Sequence, residues 1–182
     1  MVMALVQAGF SLPSPAGVQP EDHLTAYLTG PDGRAALARF APWAVGQDGR
    51  ILYPPNEVHA CLAWGVNKLL GKRVVDFSTD VDVDEILHHL ASGAGVVLSG
   101  SFPVRGGELN HVVSLSGYKA CRRDARFGDL DCLYIDDPYG NYHTGYKDHQ
   151  GNDVSILPRD FMQIIKQPKA RRKWAHIVGG RV

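Results

Sequence analysis

Two features expected of a membrane or secreted protein are missing from this sequence. No apolar run approaches the roughly 18 residues that a bilayer-spanning helix needs. The mildly apolar N-terminal segment has no Lys or Arg ahead of it, since the first basic residue is Arg34, so it does not resemble a secretory signal. From these absences we expect a chain without a membrane span that is cytoplasmic as synthesised.

Charge of one sign is also missing. Lys and Arg together number 19, and Asp and Glu together number 19. A balanced chain has no overall field to attract a polyanion, so we expect no nucleic-acid partner. A local basic cluster precedes the predicted last strand and is interpreted as a solvated loop; its members are Lys169, Arg171, Arg172 and Lys173.

Cysteine is scarce, and its spacing indicates no metal site. The chain has three cysteines, and no C-x-x-C pair or pair of histidines at helical i, i+4 spacing occurs. Cys121 and Cys132 flank a polar loop between two strand-like runs, and either a bridge or two reduced thiols is compatible with that placement. Cys61 is left over in both cases. We expect neither a metal nor a cofactor.

Helix signals dominate the first half of the chain and strand signals the second. Residues 21–28, 34–40, 56–70 and 82–91 have helical apolar spacing, with Pro54 and Pro55 before the third helix and a capping Asp82 before the fourth. Strand-like runs follow at 96–99, 111–118, 132–135 and 174–178, with a short helix at 158–165. The order predicts one α+β domain over residues 1–182, with helices packed on a curled antiparallel sheet and an irregular arm at 1–20.

Three residues in this pattern have the chemistry of a thiol nucleophile. Cys61 lies in the early turns of a predicted helix, where the helix dipole stabilises a thiolate. His111 begins one strand, and Asp136 and Asp137 end the next. If these strands pair antiparallel, His111 meets one of the two carboxylates, which would orient its ring. Each residue also has an ordinary alternative: Cys61 as a small core residue, His111 as a structural histidine, and the aspartate as a turn opener.

The order and wording of these motifs resemble the papain-fold cysteine peptidases of the bacteriocin-processing type. The matching segments are Cys61 on an early helix, then EILHHLASGAGVVLSG, HVVSLSGY, IDDPYGN, SILPRDFMQII and WAHIV. The resemblance implies a papain-like fold in which Cys61 is the nucleophile, His111 the general acid and base, and Asp137 the residue that orients the ring. Asp136 should face the opposite way, because side chains alternate along a strand.

The resemblance also implies a substrate class. Peptides are expected, either a protein segment or the short peptides of bacterial cell walls, as for phage-encoded lytic enzymes that act after release. No cofactor is needed. Candidates for the rim of the cleft are Tyr139, Tyr142 and Trp64, and Trp64 is equally compatible with a core position.

Two positions depart from the family pattern. Pro55 stands where these peptidases place a Gln that helps to bind the oxyanion, and Leu62 replaces the usual Gly after the nucleophile. Asn56 is the best substitute donor, although it is equally suited to capping the helix. A catalytically inactive binding or structural module with the same fold is therefore the alternative function. A transferase or deamidase with the same triad is a third.

Overall fold

The computed structural model describes residues 1–104, 107–122, 125–165 and 174–179. The predicted basic loop before the last strand lies outside them. The helices are α1 (Val2–Gln7), α2 (Pro20–Thr29), α3 (Pro31–Phe40), α4 (His59–Leu70), α5 (Val83–Ala91) and α6 (Pro158–Ile165). The strands are β1 (Val75–Ser78), β2 (Gly95–Val104), β3 (Gly107–Ala120), β4 (Leu130–Asp136), β5 (Val154–Ile156) and β6 (Ala175–Val178).

Contacts divide the chain into two compact units. The helical unit is Phe10–Phe77, and the sheet unit combines Met3–Gly9 with Ser78–Val182. Each is described by itself below. The organisation of the whole chain as a single domain stays a prediction.

The helical unit consists of α2, α3 and α4. Pro20 and Pro31 begin α2 and α3 at first-turn positions, where a missing N–H costs no hydrogen bond. Helix α4 ends at Gly71, which takes the left-handed conformation with φ 66°. Its N-cap is Val58 and makes no side-chain hydrogen bond. The suggestion that Asn56 caps this helix is therefore wrong, because Asn56 lies before the cap in a 3₁₀ turn, Pro55–Glu57.

The sheet unit has strands β6, β2, β3, β4 and β5 side by side, with each neighbouring pair antiparallel. Side chains alternate between the two faces. One face holds Leu98, Val113, Leu115 and Ile135, which pack in one apolar cluster with residues of α5 and α6. Helix α5 begins as predicted, since Asp82 caps it by accepting a hydrogen bond from the Asp84 backbone N–H at 2.8 Å. The predicted α+β class, with helices packed on an antiparallel sheet, is confirmed.

The N-terminal segment differs from the expected irregular arm. Residues 10–19 have no helix or strand, as predicted, but α1 occupies Val2–Gln7. Its Ala4 and Leu5 are fully buried. Ala4 lies so close to Gly95 at the start of β2 that a Cβ there would overlap the Ala4 carbonyl oxygen. The sequence pattern missed α1 because six residues give too short a window to show helical periodicity.

Candidate active site

The structure brings His111 and Asp137 into direct contact in the sheet unit. His111 Nε2 lies 2.6 Å from Asp137 Oδ1. The β3–β4 register pairs Ser114 with Asp136, and strand alternation places His111 and Asp137 on the same face of the sheet. The His111 side chain is 7% exposed and that of Asp137 is 0% exposed. A carboxylate so deeply buried needs hydrogen-bond donors around it.

Asp137 has two further donors. Its Oδ1 also accepts from the Tyr139 backbone N–H at 2.8 Å, and its Oδ2 accepts from the Tyr146 hydroxyl at 3.3 Å. The backbone N–H of Asp137 donates to the Gly151 carbonyl oxygen at 2.8 Å. A Cβ at Gly151 would overlap the Asp137 carbonyl oxygen, so glycine is required for the two segments to lie this close. The carboxylate is therefore held in one orientation.

Aromatic rings surround the His111 imidazole. The Tyr139 ring stacks on it with a centroid distance of 4.2 Å and an interplanar angle of 17°. Phe102 and Tyr146 approach edge-on at 5.9 and 6.4 Å. The Tyr139 residue is 56% exposed, so it forms the solvent side of this enclosure. These ring contacts oppose reorientation of the His111 imidazole.

This geometry prepares His111 for proton transfer. Because Asp137 can only accept when ionised, Nε2 carries a proton and donates it to Oδ1. The other ring nitrogen, Nδ1, has no hydrogen-bond partner among the described residues. In the neutral ring its lone pair can therefore take a proton, and in the charged ring it can give one up. Asp137 stabilises the charged ring without itself being protonated.

Asp136 faces away from this pair. Its Oδ1 accepts a hydrogen bond from the Asp153 backbone N–H at 2.9 Å. The difference between the two adjacent aspartates follows from alternation at the end of β4, as the sequence predicted.

Cys61 has a very different environment in the helical unit. It lies in the first turn of α4, is 0% exposed, and packs with Leu37, Ala41, Ala44 and Val58. Burial raises the pKa of the Cys61 thiol. Burial in this apolar cluster therefore favours the neutral thiol over the thiolate.

The other predicted residues are distributed over both units. Asn56 is half-buried in the 3₁₀ turn before α4. Of the rim candidates, Tyr139 contacts His111, whereas Trp64 stacks on Tyr27 at 5.9 Å. Tyr142 is buried; burial, and then the charge of Asp160, raise its pKa to about 12.

Sequence reasoning missed Tyr146. The stretch PYGNYHTGYKDHQGN is long, polar and aromatic, but its spacing does not indicate which tyrosine lies against Asp137. That contact depends on the path of the loop, which brings Tyr146 back to the end of β4. Phe102, which was not singled out either, reaches His111 through the β2–β3 register, in which Gly100 pairs with His111.

Other expectations from the sequence can be compared with the structure. Cys121 and Cys132 are free thiols, the first exposed and the second half-buried. Within the described ranges, no three His, Cys, Asp or Glu side chains group in a way that could hold a metal ion. None of the described helices is both long and apolar enough to span a bilayer.

Comparisons with known proteins add little to this geometry. No protein-family model matches the chain, and no curated protein matches it. Among solved structures, the chain is similar to the crystal structure of a provisionally assigned C39-like peptidase from Bacillus anthracis. The identity is 21% and the TM-score 0.42, and the similarity covers 71% of this chain and 60% of that one. Similarity at this level carries no functional argument.

Proposed function

We propose that the chain is a papain-type cysteine peptidase or amide hydrolase that uses Cys61, His111 and Asp137. The observation that carries the proposal is the buried His111–Asp137 pair, in which Nε2 is fixed by the carboxylate and Nδ1 is left without a partner. One committed nitrogen and one available nitrogen are what general acid–base catalysis requires.

The proposed reaction proceeds through an acyl-enzyme. Cys61 Sγ transfers its proton to His111 Nδ1 and attacks the substrate carbonyl carbon, forming an S–C bond. His111 then gives that proton to the leaving amine as the C–N bond breaks. Next, His111 takes a proton from water, whose oxygen attacks the thioester and releases the carboxylic acid and the thiol. Asp137 holds the ring throughout, and no cofactor takes part.

Asn56 is the proposed side-chain donor to the oxyanion, together with the backbone N–H of Cys61. Loss of one such donor costs about 2.7–4 kcal/mol of barrier in a comparable hydrolase. With Pro55 at the position where the resembling peptidases place Gln, this chain depends on Asn56 for that contribution. A slow enzyme is the consequence if Asn56 does not provide it.

The proposed substrates are peptides, and the short peptides of bacterial cell walls fit the resemblance to phage-encoded lytic enzymes. This choice rests on the resemblance of HVVSLSGY and IDDPYGN to the bacteriocin-processing type of peptidase. The same triad would also serve a transferase, with a second amine replacing water as the acceptor.

A binding or structural module without the reaction is the second candidate function. The observation that favours it is the environment of Cys61, which is fully buried among apolar side chains and has a raised pKa. The hydrolase requires that a charged His111 ring reach this sulfur and overcome the penalty that burial places on the thiolate. The binding module requires no such contact.

The rate of Cys61 alkylation as a function of pH separates the two candidates. Iodoacetamide labelling would be followed by mass spectrometry in a Cys121→Ser, Cys132→Ser background, in which only Cys61 reports. For the hydrolase we expect labelling to persist well below pH 7 and to be lost in His111→Ala, because an ion pair lowers the thiol pKa. Cys61→Ala should then abolish hydrolysis of a peptide substrate while leaving the circular dichroism spectrum unchanged.

Two labelling results would contradict the hydrolase. A labelling profile with a midpoint at or above the free-thiol value of about 8.5, unchanged in His111→Ala, would support the inactive module. Labelling that appears only on unfolding would do the same.

A further inference from the structure

Tyr146 contacts both members of the buried pair, yet neither its position nor its spacing in the sequence assigns it a role. Its hydroxyl donates to Asp137 Oδ2 at 3.3 Å. Its ring lies edge-on to His111, with a centroid distance of 6.4 Å and an interplanar angle of 88°. The ring is also edge-on to Tyr139 at 6.3 Å. Tyr146 therefore supports the carboxylate on the oxygen that His111 does not use.

The backbone of Tyr146 adopts an unfavourable conformation in this position. Its φ of 64° lies in the left-handed region, which a bulky side chain rarely adopts. Such a conformation is unfavourable for a side chain with a Cβ and persists where the surrounding structure enforces it. Here the backbone N–H of Tyr146 donates to the Asn141 carbonyl oxygen at 3.2 Å, which closes the loop and directs the side chain towards Asp137.

The Tyr146 hydroxyl remains a donor over the whole working range of pH. Burial raises its pKa well above the ordinary value, and the negative charge of Asp137 raises it further. A neutral hydroxyl beside an ionised carboxylate can only donate. Asp137 Oδ2 thus has a permanent hydrogen-bond donor, while Oδ1 is shared between His111 and the backbone N–H of Tyr139.

We propose that Tyr146 is a positioning residue whose hydroxyl holds part of the Asp137 charge at Oδ2 and thereby lowers the basicity of His111. A donor to Oδ2 stabilises the carboxylate and weakens Oδ1 as an acceptor for the His111 N–H. Among the described residues of the sheet unit, the titratable groups in contact with the ring are Asp137, Tyr139 and Tyr146. In the proposed hydrolase, a less basic ring would release its proton to the leaving amine more readily at neutral pH.

Tyr146→Phe tests this role directly, because it deletes the hydroxyl and keeps the ring. The His111 imidazole pKa would be measured by NMR titration of its ring proton, assigned by its loss in His111→Gln. We expect the pKa to rise by about 0.5 unit in Tyr146→Phe, since Oδ1 then bears more of the charge. The matched control is Tyr118→Phe on β3, where the same deletion removes a hydroxyl that makes no hydrogen bond to another described residue, and the His111 pKa should not move.

A purely structural role for Tyr146 gives a different result. In that case Tyr146→Phe would lower the melting temperature and leave the His111 pKa where it is in the unaltered protein. An unchanged or lowered pKa overturns the inference.

The catalytic meaning of this inference rests on the proposed function, but the titration does not, so the two can fail separately. If the His111 pKa rises in Tyr146→Phe but Cys61 is not alkylated at low pH, the role of Tyr146 is supported and the proposed hydrolase is contradicted. Low-pH alkylation without a pKa shift would do the reverse.

Discussion

His111 and Cys61 are both almost completely buried, but for opposite physical reasons. His111 is held by polar and aromatic contacts: a carboxylate at 2.6 Å and a stacked ring at 4.2 Å. Cys61 is held by aliphatic packing against residues such as Leu37 and Val58. The first environment gives the side chain a hydrogen-bond acceptor and ring contacts, whereas the second penalises a charge on the sulfur.

For the proposed reaction, this difference means that the imidazole is already oriented, whereas the thiol is not in surroundings that favour its reactive form. The sheet unit supplies an oriented imidazole whose carboxylate partner has every oxygen hydrogen-bonded. The helical unit supplies a thiol at the start of a helix, in an apolar cluster where burial raises the thiol pKa. In the proposed hydrolase, His111 would have to supply the positive charge that stabilises a Cys61 thiolate.

Asp137→Ala should have the largest effect on the sheet unit. It removes the acceptor of the His111 N–H and leaves the Tyr139 N–H and the Tyr146 hydroxyl without theirs. We expect the His111 pKa to fall by about 1 unit or more, and the free energy of unfolding to fall by about 3 kcal/mol. NMR titration and urea denaturation measure the two quantities.

Asp136→Ala is the matched control, because it removes the adjacent carboxylate, which faces Asp153 rather than His111. The His111 pKa should be unaffected. Equal effects of the two substitutions would show that the fixed orientation of Asp137 has no special consequence for the ring.

Gly151→Ala should have a smaller effect on stability, and the change should extend to the His111–Asp137 pair. The added Cβ would overlap the Asp137 carbonyl oxygen, so the segment that carries Asp137 must move. We expect a loss of about 1–3 kcal/mol in urea denaturation, together with a changed chemical shift of the His111 ring proton. Gly128→Ala serves for comparison, since a Cβ there meets nothing within 4 Å. A stable Gly151→Ala protein with an unchanged His111 signal would contradict the close approach.

Substitution of His59 in the helical unit should have the smallest effect on stability. It tests a histidine whose pKa is shifted by burial. Burial lowers its pKa from the ordinary value of 6.5. Below pH 6.5 the unfolded chain binds a proton at His59, whereas the folded chain binds it only at a lower pH. The stability that comes from keeping His59 neutral is therefore present above pH 6.5 and is lost as the pH falls through the lower folded pKa. His59→Phe keeps a ring against Phe77 and should flatten the fall in melting temperature between pH 6.5 and pH 5 relative to the unaltered protein. An identical slope in both proteins would contradict the predicted shift.

The sequence predicted the features that depend on local spacing. Apolar periodicity placed α4 and α5, and strand-like apolar runs placed β3 and β4. Alternation along a strand assigned Asp136 and Asp137 to opposite faces. Antiparallel pairing of β3 and β4 then brought His111 to Asp137, as expected from strand geometry. The proposed roles of Cys61, His111, Asp137 and Asn56 stay predictions.

The features that the sequence did not predict depend on where distant segments meet. Helix α1 forms because Ala4 fits against Gly95, and Asn56 lies outside α4 because the chain makes a 3₁₀ turn before Val58. Neither result follows from propensities within a short window. The same holds for Tyr146, whose contact with Asp137 depends on the closure of a polar loop.

By itself, the amino-acid order determined which residues share a strand face and which begin a helix, because those relations repeat at fixed periods along the backbone. Only the tertiary structure decided that Asp137 has three donors and that the sulfur of Cys61 is surrounded by hydrocarbon. Burial and hydrogen-bond partners come from segments far apart in the chain. These contacts set the energetic cost of a charge on each side chain.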